Sequence, residues 1–441
     1  MTSSRSRAIA AHLYPLSLLS LLVPLLFPQV ARAEKVIAKG DDWQFYTDGR
    51  VAGFLSYVNG DASPVAREIT NSDGSKTQEI LNGGLWPATP ETQNGTGPDH
   101  INMMRLRSGF LGNQIGFGVR GQVTPWTTVT GYIQTWVYIE SDDRNKSNPN
   151  PPDVRQGYAK FEGLWGSLTA GRTRTLTSRG ASDINTMYAH RWGVGFPNAI
   201  DKKGPTQGMV GFGVLGSGFA AGMIYGTPVL EGFQLNVGIF DPATLGGPGW
   251  NGTKFVRPEA QATYERNFGE NGKVVLFANG AYQKIYKPGK CTPALDNPCD
   301  ETVQGLGYGG RFEFGPVRLG VAGHLGKGLG LSYALENSYA VADAETHLRF
   351  SDGYYVQSMF VLEKWDIFAG WGKARVFLTK LDKETAGLSV IKYQMGINAG
   401  VVYNVTPNVH VDLEYFRAEA AWWLGEKQIL NTAATGITFN W

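Results

Sequence analysis

The chain has 441 residues, a formal charge of +2, 58 glycines, 12% aromatic residues and two cysteines. So even a charge balance excludes the concentrated basic face that a nucleic-acid partner requires. After residue 33 no stretch is apolar enough for a helical membrane span.

The first residues carry Arg5 and Arg7, then an apolar run from Tyr14 to Phe27, then Ala31-Arg32-Ala33. A charged start, an apolar centre and small residues at the end are the parts of a secretory signal peptide. The run is about fourteen residues, short of the roughly 18 to 20 that span a bilayer as a helix. We therefore expect a signal peptide over residues 1–33 and a mature chain of about 408 residues starting at Glu34. Removing Arg5, Arg7 and Arg32 leaves 37 basic residues against 38 acidic ones, so the mature chain is close to neutral.

The mature chain repeats one theme, segments of about ten residues with period-2 alternation. Phe233, Leu235, Val237 and Ile239 oppose Gln234, Asn236 and Gly238. Ala260, Ala262 and Tyr264 oppose Glu259, Gln261, Thr263 and Glu265. From Ile391 to Val405 the odd positions are apolar, and Val402 alone breaks the polar or small second face. Val409, Val411, Leu413 and Tyr415 oppose His410, Asp412 and Glu414. An apolar face on every strand needs one continuous apolar environment, which is a partner sheet in a sandwich and lipid in a transmembrane barrel.

Connection lengths favour the barrel. Short turns fall at 124–126, 163–166, 229–232, 268–272, 315–316, 364–365 and 406–407. Long polar stretches lie between them, at 59–100, 141–153, 173–207, 241–256, 287–302, 326–352, 377–390 and 420–430. Seven short turns alternating with eight long loops imply an all-β fold, a transmembrane antiparallel barrel of 16 strands. Weak alternation over 325–352 leaves 18 strands as an alternative. An even number lets the first and last strands pair, which spares backbone groups in hydrocarbon a cost of several kcal/mol each. The chain ends with Ile437, Phe439 and Trp441 on one face, and Trp43, Trp126, Trp165 and Trp365 also stand near strand ends, as in an aromatic girdle.

Cys291 and Cys299 are eight positions apart with no second Cys or His pair nearby, a spacing that suits one local disulfide closing a surface loop. No histidine has metal-binding spacing to another His or Cys, and no cofactor motif occurs. Residues 214–218 (Val-Leu-Gly-Ser-Gly) are a glycine-rich stretch and not a nucleophile elbow, and Asn71-Ser72-Asp73-Gly74 lacks the terminal Glu of a calcium loop. A hydrolase assembled from separate strands stays open as an alternative to a channel without catalytic residues.

The stretch Val154-Arg155-Gln156-Gly157-Tyr158-Ala159-Lys160-Phe161-Glu162, followed by Gly163-Leu164-Trp165-Gly166-Ser167-Leu168-Thr169-Ala170-Gly171-Arg172, resembles the fourth strand, tight turn and fifth strand of the Gram-negative trimeric general porins. The terminal aromatic Trp441 resembles that family's assembly signal, and the long first loop at 59–100 departs from its pattern. The resemblance implies an outer-membrane homotrimer in contact with lipid and lipopolysaccharide, recognised by the outer-membrane assembly machinery through Trp441. It also implies that the loop at about 173–207 folds into the barrel and narrows it.

That stretch is rich in cations: Arg172, Arg174, Arg179, Arg191, Lys202 and Lys203 accompany only Asp183 and Asp201. Strand parity adds Arg50, Arg105, Arg107, Arg120 and Lys160 as inward wall residues. Basic rings in a pore favour anions. The expected constriction set is thus Arg50, Arg105, Arg107, Arg120, Lys160, Arg172, Arg174, Arg179, Asp183 and Arg191, in a passive channel for small hydrophilic solutes and ions that prefers anions. A porin with a saturable anion or sugar site is the alternative, since Tyr188, Trp192 and Phe196 could stack on a sugar.

Overall fold

The computed structural model describes residues 34–441 except 63, 71–72, 75, 82–83, 86–99, 109–112, 138–152, 178, 185–207, 217, 243–254, 270, 287–299, 333–339, 346 and 386. The expected signal peptide, Arg191 and both cysteines lie outside the described residues, and so does the expected disulfide.

The described chain is almost wholly strand. A short β1 (Lys35–Lys39) precedes β2 (Trp43–Asp61), and β3 (Val65–Thr70) with β4 (Lys76–Ile80) forms a separate hairpin in the first long connection. Next come β5 (His100–Arg107), β6 (Asn113–Thr124), β7 (Thr127–Val137), β8 (Asp153–Gly163), β9 (Gly166–Arg174) and the single-turn helix α1 (Arg179–Ile184). They are followed by β10 (Phe219–Gly226), β11 (Phe233–Phe240), β12 (Arg257–Phe268), β13 (Gly272–Tyr286), β14 (Asp300–Phe314), β15 (Val317–Lys327) and β16 (Phe350–Leu362). The chain ends with β17 (Trp365–Val376), helix α2 (Lys380–Glu384), β18 (Ile391–Asn404), β19 (Val409–Trp422) and β20 (Lys427–Asn440).

From β6 onward each strand pairs antiparallel with the next, and β20 returns to pair with β2 from Arg50↔Asn440 to Gly60↔Leu430. Both β5 and β6 run antiparallel along β2, against Phe54–Asp61 and Trp43–Arg50 respectively, so they form one interrupted crossing. The result is a closed barrel of 16 crossings. The 18-strand alternative is not realised, because among the described residues the stretch between β15 and β16 holds only a single bridge, Ala342↔Leu348. Turn chemistry follows the expected pattern. At the β14–β15 turn Gly315 takes φ 55°, which costs glycine nothing and a branched side chain a good deal.

Alternation sorts every strand into two faces. On β19 Leu413 is 61% exposed while Asp412 and Glu414 are buried, and on β20 Ile437 is 58% exposed while Thr438 is buried. Polar residues inside and large apolar ones outside is the inverse of a soluble core, and it suits a barrel surrounded by lipid. Val402, the exception noted in the sequence, is fully buried on the inner face within an apolar cluster.

That cluster exists because chain enters the barrel. Residues 208–216 lie inside against β16–β18: Phe212 meets Phe416 edge to face at 5.2 Å, and its backbone presses on Gly372. A Cβ at Gly372 would lie 2.1 Å from the Phe212 carbonyl oxygen, so the wall is bare where the segment crosses it. Helix α1 packs on β13 and β14, with Gly180 against the Phe277 ring and the Tyr355 hydroxyl donating to the Ala181 carbonyl at 2.9 Å. The first long connection also reaches in, since the Leu85 N–H donates to Gln428 Oε1 at 2.7 Å and both residues are buried.

Candidate pore and its lumen wall

The inner face of the barrel is the surface that any passing solute would meet, so its charges decide what the barrel can do. Strand parity sets which residues reach it. On β2 Phe45, Val51 and Leu55 are exposed outward, which turns Asp48 and Arg50 inward. Arg50 Nε donates to Asn440 Oδ1 at 3.0 Å, and Asp48 accepts from the Tyr132 hydroxyl at 2.9 Å. Arg105 shares the inner parity of Ile101 and Met103 on β5, and its Nε lies 3.2 Å from Met103 Sδ. Arg107 has the same backbone parity, and its side chain lies outside the described set.

Two other cations of the expected set are neutralised in place. Arg120 forms a salt bridge with Glu34 at 3.1 Å and lies over the Tyr46 ring at 4.8 Å, at the short-turn end. Lys160 forms one with Glu162 at 2.6 Å, two residues along the same strand face. The remaining residues divide. Arg172 is exposed and sits at register with Gly157 and Ala221, on the outward side shared with Phe161 and Met223. It therefore does not face the lumen, because parity along β9 turns Thr173 inward instead, where Thr173 meets Gln156 at 3.5 Å. Arg174 has the outward parity of Arg172 at the end of that strand. Arg179 begins α1 and its Nη2 donates to the Arg174 carbonyl at 2.6 Å. The side chain of Asp183, on α1, and all of Arg191 lie outside the described residues.

The sequence reading missed a recurrent motif on the inner wall, a cation and a carboxylate two residues apart. Arg257 pairs with Glu259 at 2.7 Å and Arg311 with Glu313 at 2.9 Å, as Lys160 does with Glu162. Position i+2 on a strand projects to the same face, so basic-x-acidic is the signal that could have found them. Lys273 adds a cross-strand pair with Glu265 at 2.6 Å. The wall is therefore richer in ion pairs than in free cations. Among the described residues Arg105 and Arg318 are inward cations with thioether contacts and no carboxylate partner; Arg318 Nη1 lies 3.9 Å from Met359 Sδ. The inward acids Asp366 and Glu414 are buried against neighbouring amides, with Asn404 Nδ2 at 3.1 Å and Asn398 Nδ2 at 3.3 Å.

No curated protein sequence matches the chain. Solved structures do. The outer membrane channel DcaP of Acinetobacter baumannii aligns with a TM-score of 0.63 at 15% identity, covering 92% of this chain and 100% of that one. An anion-selective porin from Comamonas acidovorans gives 0.56 at 12% identity over 91% and 100%, and OmpT of Vibrio cholerae gives 0.52 at 13% over 92% and 100%. At such identities these likenesses establish the fold. A family profile described as Gram-negative porin matches residues 19–420. Family and fold together point to a channel and not an enzyme. With a closed 16-strand barrel, a lipid-facing apolar exterior and that match over most of its length, the chain belongs to the Gram-negative porins and is a multi-pass β-barrel protein of the outer membrane.

Proposed function

We propose that the protein is a passive, water-filled channel for small hydrophilic solutes and ions, narrowed from within and weakly selective for anions. The observation that supports it best is the inner wall, where several cations are ion-paired while, among the described residues, Arg105 and Arg318 lie against thioether sulfurs. Two cations without carboxylate partners in a partly desolvated passage act on a permeating ion at lower effective dielectric than bulk water provides. The segments that lie inside the barrel support a constriction formed by the loop at 173–207 and continued by 208–216. The family resemblance supports a homotrimer. An anion-selective porin among the structural neighbours is consistent with the preference.

Single-channel recording in planar bilayers with asymmetric salt tests this reading. We expect discrete conductance steps and a reversal potential on the anion side. Absence of steps from refolded protein, or a cation-side reversal potential, would reject the channel or its preference respectively. The narrowing by Phe212 and its neighbours also favours a second reading, a saturable anion or sugar site. Solute-dependent block of the current would establish it, and a current that no candidate solute blocks would remove it.

A further inference from the structure

The methionines divide by the surface they reach. Met104, Met223 and Met395 point outward with the lipid-facing rows: Met104 is 63% and Met223 50% exposed, and Met395 shares the parity of Ile397. Met209 and Met359 are sealed within the barrel, at 0% and 1%. Met103 is different. It faces inward on β5, opposite Val58 of β2, and is only partly buried at the edge of the inner apolar cluster. Among the described residues it is the methionine that an aqueous solute inside the barrel can reach.

Two residues along the same strand face, Arg105 Nε donates to Met103 Sδ at 3.2 Å. A thioether sulfur is a weak acceptor, so this contact holds the guanidinium loosely. One sulfur lone pair accepts from Arg105, and the other is open to attack the outer oxygen of a hydroperoxide-class oxidant. The S–O bond then forms as the O–O bond breaks. Sulfur is oxidised by two electrons, and the departing oxygen keeps the electron pair and takes the proton. The neighbouring guanidinium favours this step, because it faces the negative charge that develops on the departing oxygen. The product sulfoxide is polar, and its formation is the reversible step of methionine oxidation. Its oxygen, one bond from the sulfur, is within reach of the same N–H, and a hydrogen bond from a charged donor is roughly twice as strong as a neutral one.

We infer that Met103 is a modification site, converted to its sulfoxide by hydroperoxide-class oxidants that enter the lumen, and that the sulfoxide oxygen then holds the Arg105 guanidinium against the wall. The negative end of the S–O bond offsets part of the Arg105 charge, so the passage attracts anions less once Met103 is oxidised. Arg318 undergoes no such change, because the Met359 sulfur against it is sealed. The electrical consequence rests on the channel and the anion preference proposed above, whereas the chemical selectivity for Met103 does not.

The test uses the full chain in liposomes, treated with peroxymonosulfate, an anion excluded from the lipid around Met104, Met223 and Met395. Mass spectrometry locates each added oxygen, with fragment ions separating Met103 from Met104. We expect Met103 to oxidise at least about tenfold faster than Met359 or the outward methionines. In planar bilayers the oxidised channel should shift its reversal potential toward cations. The shift should not exceed the roughly twofold change in permeability ratio that removal of one charge in Arg105→Gln produces. Met103→Leu should keep its reversal potential through the same treatment, and Arg105→Gln should gain the oxygen with no further shift. If Met103→Leu does not fold, the time course of the parent carries the test, since the shift must follow the Met103 sulfoxide and that of no other methionine. Met103 oxidising no faster than Met359, a fully oxidised Met103 with an unmoved reversal potential, or an equal shift in Met103→Leu would overturn the inference. A parent without conductance steps counts against the channel reading, and the oxidation pattern then decides the modification site by itself.

Discussion

Trp441 and Gly49 exchange two backbone hydrogen bonds, at 2.9 and 3.1 Å, and the Trp441 ring lies flat over the place where a Gly49 side chain would be. An ideal Cβ at Gly49 would sit 2.2 Å from Trp441 Cζ2. Phe439 stacks on the same ring at 5.7 Å. The last residue of the chain thus fastens the seam between β20 and β2, where closure removes the exposed strand edges.

Gly49→Val is expected to push the Trp441 ring off the seam and destabilise the barrel by about 1 to 3 kcal/mol, the usual cost of overpacking. Urea unfolding followed by tryptophan fluorescence measures it. A variant as stable as the parent would show that the ring moves aside at no cost.

Phe212→Ala removes the side chain that fills the space between the inner segment and Phe416. Buried Phe→Ala changes cost about 3 to 5 kcal/mol, here spent mostly on loosening residues 208–216 from the wall. The expected outcome is a larger single-channel conductance with more current noise. Gln428→Ala should have a smaller effect of the same sign, because it frees the Leu85 N–H of the first connection.

Arg105→Glu places a carboxylate where the inner wall has a cation without a carboxylate partner. A charge reversal of that kind is worth about 1 kcal/mol or more to a passing ion, or ~5-fold in the permeability ratio. Reversal potentials in asymmetric salt should move toward cations. Lys160→Gln should move them the same way, since it leaves Glu162 without its partner.

Two long connections on the same end of the barrel are joined by a buried ion pair. Arg349 binds Asp382 through Nε and Nη2 at 2.7 and 2.8 Å, and Thr379 and Asp382 cap each other at the start of α2. Burial opposes ionisation of Asp382, but the hydrogen bonds from Arg349 and Thr379 outweigh it and hold the carboxyl below its ordinary range. A depressed folded pKa means that the stabilisation is complete above the unfolded value, near 4. It is then lost as pH falls through the folded value. Trypsin cleavage at Lys380 and Lys383 in Asp382→Ala should be faster by at least about a hundredfold, since removing one partner of a buried ion pair costs about 3 to 5 kcal/mol. For the parent, susceptibility of this loop to an acid-active protease should rise only below about pH 4. A rise already complete at pH 5 would remove Asp382 as its cause.

What the sequence determined by itself was everything that follows from alternation and connection length. Leu413 and Ile437 had to face an apolar medium and Asp412 and Glu414 had to turn away from it, because successive strand residues point to opposite sides. Short turns alternating with long loops then required an even, closed sheet. The local pairs Lys160–Glu162, Arg257–Glu259 and Arg311–Glu313 were also legible in principle, since i and i+2 share a face. The tertiary structure decided which cations remain without carboxylate partners, because that depends on neighbours far away in the chain. Arg120 is neutralised by Glu34 across 86 positions, whereas among the described residues the Arg105 guanidinium lies against a methionine sulfur. It also decided that Arg172 faces outward, a matter of one residue of register on β9, and that residues 208–216 lie within the barrel. Periodicity identifies the two faces of a strand. What lies against the inner face is set by chain that returns from elsewhere, and no local pattern encodes that.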